Sequence, residues 1–298
     1  MSAPGSVAVV VVSYEVRDEL LACLDSLARP ARVPLQPLVV DNASTDGTVE
    51  AVRARHPGVR VLANPENVGF ARASNQGWRS ADTPLVLFLN PDAEVAEGAV
   101  ETLAATLEAR PDVGVVAPRI LHPDGTVEPS TGKDLTPLAE WRQRRLVLGV
   151  ARRNPGVLEE VALRHSVPHG PDWVSGAAFL ARRLALESVG GFDEGYFLYE
   201  EDADLCRRLR RAGWSIAFEP GAQVRHRRGA SMSRSPARAR LEYHRSHLRY
   251  YHKHNGPLER AVLRASMLGR GLALLLRRGD PEAAREARVL LDLARRGA

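Results

Sequence analysis

Cysteine is almost missing from this chain. Cys23 and Cys206 are the only two among 298 residues, far apart and without C-x-x-C spacing, which excludes a disulfide framework and a cysteine-based zinc cluster and fits a reducing cytosol. No G-x-G-x-x-G follows the first apolar run and no G-x-x-x-x-G-K-[ST] occurs anywhere. Nicotinamide-dinucleotide binding and P-loop chemistry therefore lose their main support. Long apolar runs are lacking too: the most apolar late window, "RASMLGRGLALLLRRG", is cut by arginines and is too short to span a bilayer. The opening "MSAPGSVAVVVVSYEVRD" has no basic segment before its apolar run and no small-residue cleavage site after it. It reads as a first strand rather than a secretion signal. There is no internal repeat.

What is present describes an ordinary globular protein with a basic balance. The chain is 44% hydrophobic and 26% charged, enough for one large domain or two small ones with ample core. Its formal net charge is +5 and its pI about 9.6, with much of the excess after residue 224. Such a balance suits phosphate-rich ligands or an anionic membrane surface.

Short β-branched runs alternate with longer helical periods from residue 7 onward, which predicts an α/β fold with a mainly parallel sheet. The expected strands are 7–14, 35–41, 59–63, 84–90 and 113–118, then 172–183 and "WSIAFEP". Leu20, Leu21, Leu24 and Leu27 give the first helix an inward stripe. Between 119 and 171 only a turn at "HPDG" and a helix around 136–148 are legible, and from about 236 the chain reads as helix.

In sheets of this kind ligands bind beyond the carboxyl ends of the strands. Those ends are polar: Ser13–Tyr14, "DNASTDGT" from Asp41, "NPENVGF" from Asn64 and "NPD" from Asn90. Asn90 and Asp92 close a strongly apolar strand and suit a metal-bound diphosphate, because hard cations take carboxylate and phosphate oxygens; they equally suit a plain turn. Asp41 either starts an Asx-turn or accepts the N–H of a pyrimidine base.

The stretch "GYFLYEEDADLCRRLRRAGW" packs four carboxylates into five positions ahead of several arginines. A helix from about Glu201 to near Gly213 separates them. Asp204 faces Arg207 and Arg208, the spacing of a surface ion pair. Asp202 shares its face with Leu205, Cys206 and Leu209, so it either caps the helix or points into a cleft, where desolvation makes it a proton acceptor. His226 is a candidate cation or phosphate ligand. The basic tail carries no RNP, KH or helix-turn-helix signature, so no nucleic-acid partner is expected. It suits a wall for diphosphate or an anionic membrane face, and its end, "PLERAVLRASMLGRGLALLLRR", has the character of an interfacial helix.

Taken in order, "VVSY" (11–14), "VVDNASTDGT" (39–48), "NVGFARASNQG" (67–77), "LFLNPDAEV" (87–95), "VSGAAFLARR" (174–183), "GGFDEGYFLYEEDADLCRRLRRAGW" (190–214) and "HRRGAS" (226–231) resemble the family 2 glycosyltransferases of GT-A fold, and most of all a bacterial rhamnosyltransferase-like branch. The resemblance implies one GT-A domain over 1–231, with a nucleotide-sugar half to about 118 and an acceptor half beyond it, and a basic helical extension over 232–298.

It also implies inverting transfer of a sugar, rhamnose-like, from a dTDP- or UDP-sugar donor to a glycan or polyprenol-linked acceptor, assisted by Mg²⁺ or Mn²⁺. Asp202 is then the catalytic base. Asp41, Ser13, Asn67, Gly69 and Asn90 lie on the donor side, Gly176 and Glu201 beside the acceptor, and Asp92 and His226 at the metal. The family's D-x-D is Asn90-Pro91-Asp92 here, with one carboxylate replaced by an amide. A cytoplasmic protein, held peripherally at the inner membrane face by its tail and able to form a homodimer, is the accompanying expectation. The rival readings are a sugar nucleotidyltransferase, which would need a glycine-rich loop that "SYEVRDELL" lacks, and a nucleic-acid-binding protein using the tail.

Overall fold

The computed structural model describes residues 5–227, 236–276 and 281–296. Its chain order is β1 (Val7–Ser13), α1 (Arg17–Leu27), β2 (Leu35–Asp41), α2 (Thr48–Arg55), β3 (Arg60–Ala63), α3 (Phe70–Ser80), β4 (Leu85–Leu89), β5 (Ala93–Val95), α4 (Ala99–Ala109) and β6 (Val113–Leu121). There follow β7 (Thr131–Gly132), α5 (Pro137–Ala151), α6 (Pro155–Arg164), β8 (Trp173–Val174), β9 (Ala178–Arg182), α7 (Arg183–Val189), α8 (Glu201–Arg211) and β10 (Ser215–His226). Three helices close the chain: α9 (Pro236–His254), α10 (Pro257–Leu275) and α11 (Pro281–Arg296).

Eight strands form one sheet in the order β3-β2-β1-β4-β9-β6-β10-β5. β1 pairs in parallel with β2 and β4, and β6 with β10, while β9 runs antiparallel between β4 and β6. The sheet is thus mixed and mainly parallel, as the patterning predicts. β1 is buried along its whole length because helices cover both faces. Val10, Val12 and Val40 join one core layer, and Val9, Val11 and Val39 the other, which is the period-2 alternation of a strand.

Three expectations change. The single strand foreseen over 172–183 divides into β8 and β9, because residues 175–177 leave the extended path and Gly176 turns its N–H toward Asp202, 2.7 Å away. The strand at "WSIAFEP" continues to His226, passing a register irregularity at Glu219–Gln223 beside Pro220 and Gly221. The 119–171 segment holds a second helix, α6, whose signal was present in Asn154, which caps it by accepting from Val157 N, and Pro155 at its first position.

Helices α9 to α11 are packed on the sheet domain. Leu248, Tyr250, Tyr251, Leu263, Met267 and Leu290 belong to the same buried cluster as Phe88, Phe179 and Phe192. Among the described residues no helix is long and apolar enough to cross a membrane.

Candidate active site

A cavity of about 400 Å³ opens at the carboxyl rim of the sheet. Its walls come from five places: Tyr14 and Asn42 after β1 and β2, Asn67 and Gly69 before α3, the Asn90–Asp92 turn after β4, the 197–202 segment at the start of α8, and Arg238 and Glu242 from α9, with Gly176, Glu128 and His226 between them.

The acidic wall is built by an unusual backbone. Tyr199 and Glu200 both adopt positive φ, 71° and 62°, a conformation that costs non-glycine residues on the order of 1–3 kcal/mol each. The turn launches α8 with Glu201 and Asp202 in its first turn, where the helix dipole favours negative charge. Asp202 is half-buried: Oδ2 accepts from Gly176 N at 2.7 Å and Oδ1 from Ala203 N at 2.7 Å. Burial and the nearby negative charge of Glu200 push its pKa up to about 6 against these hydrogen bonds. Glu201 is buried, and its Oε2 has no hydrogen-bond partner. Burial, and then the charge of Asp202, push its carboxyl well above the usual range. Both carboxyls of the neighbouring pair are therefore pushed upward, chiefly by burial.

Asp204 is not the surface ion pair its spacing suggests. It is fully buried, bound to Arg208 at 2.6 Å as expected, but also to His254 and Lys253 of α9 at 2.7 Å each.

α9 braces the strained turn residue by residue. The Arg238 guanidinium lies over the Phe197 ring at 4.7 Å, Ser246 Oγ donates to Leu198 O at 2.7 Å, and the Tyr243 ring meets Tyr199 edge-on at 5.8 Å. His247 bridges Glu200 at 3.0 Å and Glu140 of α5 at 3.2 Å. Burial opposes a charged ring there, yet the hydrogen bonds to Glu140 and Glu200 raise His247 to about 10.

On the opposite side, His226 Nε2 lies 3.1 Å from Asp92 Oδ1 and 3.3 Å from Asn90 Nδ2, and Nδ1 lies 3.2 Å from Glu128 Oε2. Burial again works against the charged ring, but the bonds to the two carboxylates lift His226 to about 9. Among the described residues no three histidine, cysteine or acidic side chains are arranged to hold a cation by themselves. Asp92 fits Mg²⁺ or Mn²⁺ when phosphate oxygens supply the remainder, whereas His226, engaged by carboxylates at both ring nitrogens, would have to give up its proton and its bond to Asp92 before Nε2 could join it as a ligand.

Eight of the ten residues singled out from the sequence line this one cavity: Asn67, Gly69, Asn90, Asp92, Gly176, Glu201, Asp202 and His226. Ser13 and Asp41 do not; they are buried beside it, paired in register across β1 and β2 and on the sheet face opposite Val12 and Val40. Asp41 Oδ2 accepts from Ser44 N, three residues on, at 2.9 Å, while Asp41 Oδ1 and Ser13 Oγ have no hydrogen-bond partner. Asn67 and Gly69 shape the wall. Asn67 Oδ1 accepts from Gly69 N, and Gly69 has φ +85° with Phe197 O only 2.6 Å from where a Cβ would stand. Tyr14 and Asn42, foreseen only as part of the polar rim, line the cavity too, whereas Glu128 and Glu242 were missed. Glu128 carries no motif, whereas Arg238 lies in the basic run foreseen as a wall.

A mixed sheet in this strand order, with an Asn-Pro-Asp turn facing an acidic helix start across one rim cavity, defines a GT-A-type glycosyltransferase. The chain belongs to glycosyl transferase family 2, whose profile it matches over residues 8–164. It is 33% identical over 273 residues to the N-acetylglucosaminyl-diphospho-decaprenol L-rhamnosyltransferase of Mycobacterium tuberculosis H37Rv, covering 88% of this chain and 89% of that protein. It is 26% identical over 169 residues to the rhamnosyltransferase WbbL of Escherichia coli K12, covering 57% of this chain and 61% of that one. In fold it is similar to the mannosyltransferase PcManGT of Pyrobaculum calidifontis, solved with GDP-Man and Mn²⁺ (TM-score 0.58, 22% identity, 100% of this chain and 77% of that). It is also similar to GalNAc-T7, solved with UDP, GalNAc and Mn²⁺ (TM-score 0.55, 19% identity), covering 74% of this chain and 43% of that one.

Proposed function

We propose that this glycosyltransferase is an inverting rhamnosyltransferase that uses a dTDP- or UDP-sugar and transfers to a hydroxyl of a polyprenol-linked glycan. The observation that carries the reading is the placement of Asp202. Its carboxylate opens on the same cavity as Asp92 and His226 and is aligned by two backbone N–H groups. The relative from M. tuberculosis supports the sugar and the lipid-linked acceptor by its name.

In this mechanism Asp202 accepts the proton of the acceptor hydroxyl as that oxygen attacks the anomeric carbon from the face opposite the leaving diphosphate. Asp92, joined by His226 once that ring has lost its proton, would hold a divalent cation with the donor's phosphates, and such a cation supplies positive charge to the departing diphosphate. Arg238 lines the same cavity and adds positive charge to it.

Incubation with dTDP-rhamnose and an N-acetylglucosaminyl-diphospho-polyprenol, read by mass spectrometry of the lipid and by the anomeric coupling of the product, tests the whole reading. Release of dTDP with no glycosylated lipid, or a retained anomeric configuration, counts against it.

The orphaned Asp41 Oδ1 and Ser13 Oγ support a base-binding role, since the N–H of a pyrimidine would complete a buried acceptor. Asp41→Asn is expected to weaken dTDP or UDP binding by about tenfold or more in calorimetry, the effect of losing a charged hydrogen bond. Turnover at saturating donor should hold. Unchanged affinity would remove Asp41 from the donor site.

His247 acts as a positioning residue through Glu200. His247→Gln keeps a hydrogen bond but leaves the negative charge of Glu200 less compensated, and that charge already raises Asp202. The expected result is a several-fold lower kcat with donor affinity intact and an acid limb of the pH profile moved to higher pH. A proportionate loss at every pH would mean the brace is purely structural.

A further inference from the structure

Large exposed apolar side chains gather on two helices that start side by side. On α5 these are Leu138 and Trp141, 57% and 64% exposed; on α10 they are Leu258 and Val262, 77% and 44% exposed. The two helix starts are tied together, since Asn255 Nδ2, just before α10, donates to Leu135 O, just before α5, at 2.7 Å. Leu258 and Val262 continue along one face of α10 through exposed Ala265, Gly269, Leu272 and Leu276, a stripe about 27 Å long at 1.5 Å per residue.

The surrounding charge is mainly positive, although Arg145 pairs with Glu160 of α6 and Arg270 with Glu286 of α11. α5 and α10 carry Arg142, Arg144, Arg145, Arg260, Arg264 and Arg270 against only two acidic residues, Glu140 and Glu259. Glu140 is tied to His247, and Glu259 receives the Gly256 N–H at 3.0 Å. Arg142, Arg144 and Arg264 remain exposed beside the apolar stripe.

The geometry points to a membrane-docking face formed by α5 and α10, with an anionic lipid bilayer as its occupant. An apolar helix face of this length flanked by arginines, with an exposed tryptophan, is the pattern of a helix lying in the headgroup plane. Arginines attract anionic headgroups and would repel one another in a symmetric contact between two copies. Glu140 of α5 grips His247 of α9, whose first turns carry Arg238 and Glu242 into the cavity. The docking face is therefore one helix away from the acceptor side. This deepens the proposed function by assigning the surface on which a polyprenol-linked acceptor is met, and it rests on that reading only for its purpose.

The test is vesicle co-sedimentation of the full chain, without donor or acceptor, so that it can fail while sugar transfer stands. Vesicles of phosphatidylcholine with roughly one-third phosphatidylglycerol are expected to pull the protein down, and pure phosphatidylcholine vesicles to do so far less. Salt of about 0.5 M should weaken the binding through screening. The exposed pair Leu258→Asp and Val262→Asp should lower partitioning about tenfold or more, and Arg142→Glu with Arg264→Glu should remove the preference for anionic vesicles. Leu184→Asp, on an exposed leucine of α7 that is 69% accessible, is the control and should bind like the parent. No binding to anionic vesicles, equal binding by the Leu258/Val262 pair, or a dimer in light scattering that this pair converts to monomer, would each overturn the proposal.

Discussion

Asp202→Asn is expected to lower turnover by about 10²–10⁴-fold, the contribution of a positioned general base, while nucleotide binding persists. The amide preserves the shape of the side chain and can still accept from Gly176 N, so α8 and the cavity should stay in place. The parent enzyme's kcat should also carry an acid limb near the value of about 6 at which Asp202 gains its proton. The sign follows from the role: a base works unprotonated, so activity falls as pH drops through that value. The residual activity of the Asn variant should lack that limb. Near-parental turnover by the variant, or an acid limb unchanged in it, would assign the base elsewhere.

The second large effect concerns stability. Asp204 is the shared anion of Arg208, His254 and Lys253, with Tyr196 Oη at 3.4 Å. Those hydrogen bonds and cations hold its pKa well below the usual carboxylate range, outweighing its burial, which is the largest opposing influence. Asp204→Asn leaves buried positive charge uncompensated and is expected to cost about 3–5 kcal/mol in urea unfolding, the scale for breaking a buried ion pair from one side. The pH sign is that of a depressed carboxyl. Its stabilisation is complete above the unfolded carboxylate pKa of about 4 and is lost as pH falls toward the folded value. The variant should accordingly lose less stability than the parent on acidification through that range. An unfolding midpoint equal to the parent's would show that the cluster is not holding α8 to α9.

Different parts of this molecule were legible in the sequence to different depths, for physical reasons. The buried strands announced themselves because a strand covered on both faces must be apolar throughout, as in "VAVVVVS" and "LVLFL". Residues just beyond them then had to lie at the rim. Asp202 could be separated from its acidic neighbours because a carboxylate on an apolar helix face needs a reason to be there. The burial of Asp204 was hidden: its i+4 arginine is local, but His254 and Lys253 arrive from a helix some fifty positions later. Glu128 was hidden more completely, since it sits in an irregular stretch and acquires meaning only when His226 is brought against it. The brace along α9 was invisible for the same reason, because no local pattern relates Arg238, Tyr243, Ser246 and His247 to residues 197–200.

The contact at Gly69 has a mechanical corollary. Phe70 N donates to Phe197 O at 2.7 Å, and no side chain fits between the two strands of backbone. The segment that shapes the donor wall is thereby seated directly against the segment that launches the base, so a side chain introduced at position 69 would push the two apart and disturb both ends of the cavity at once.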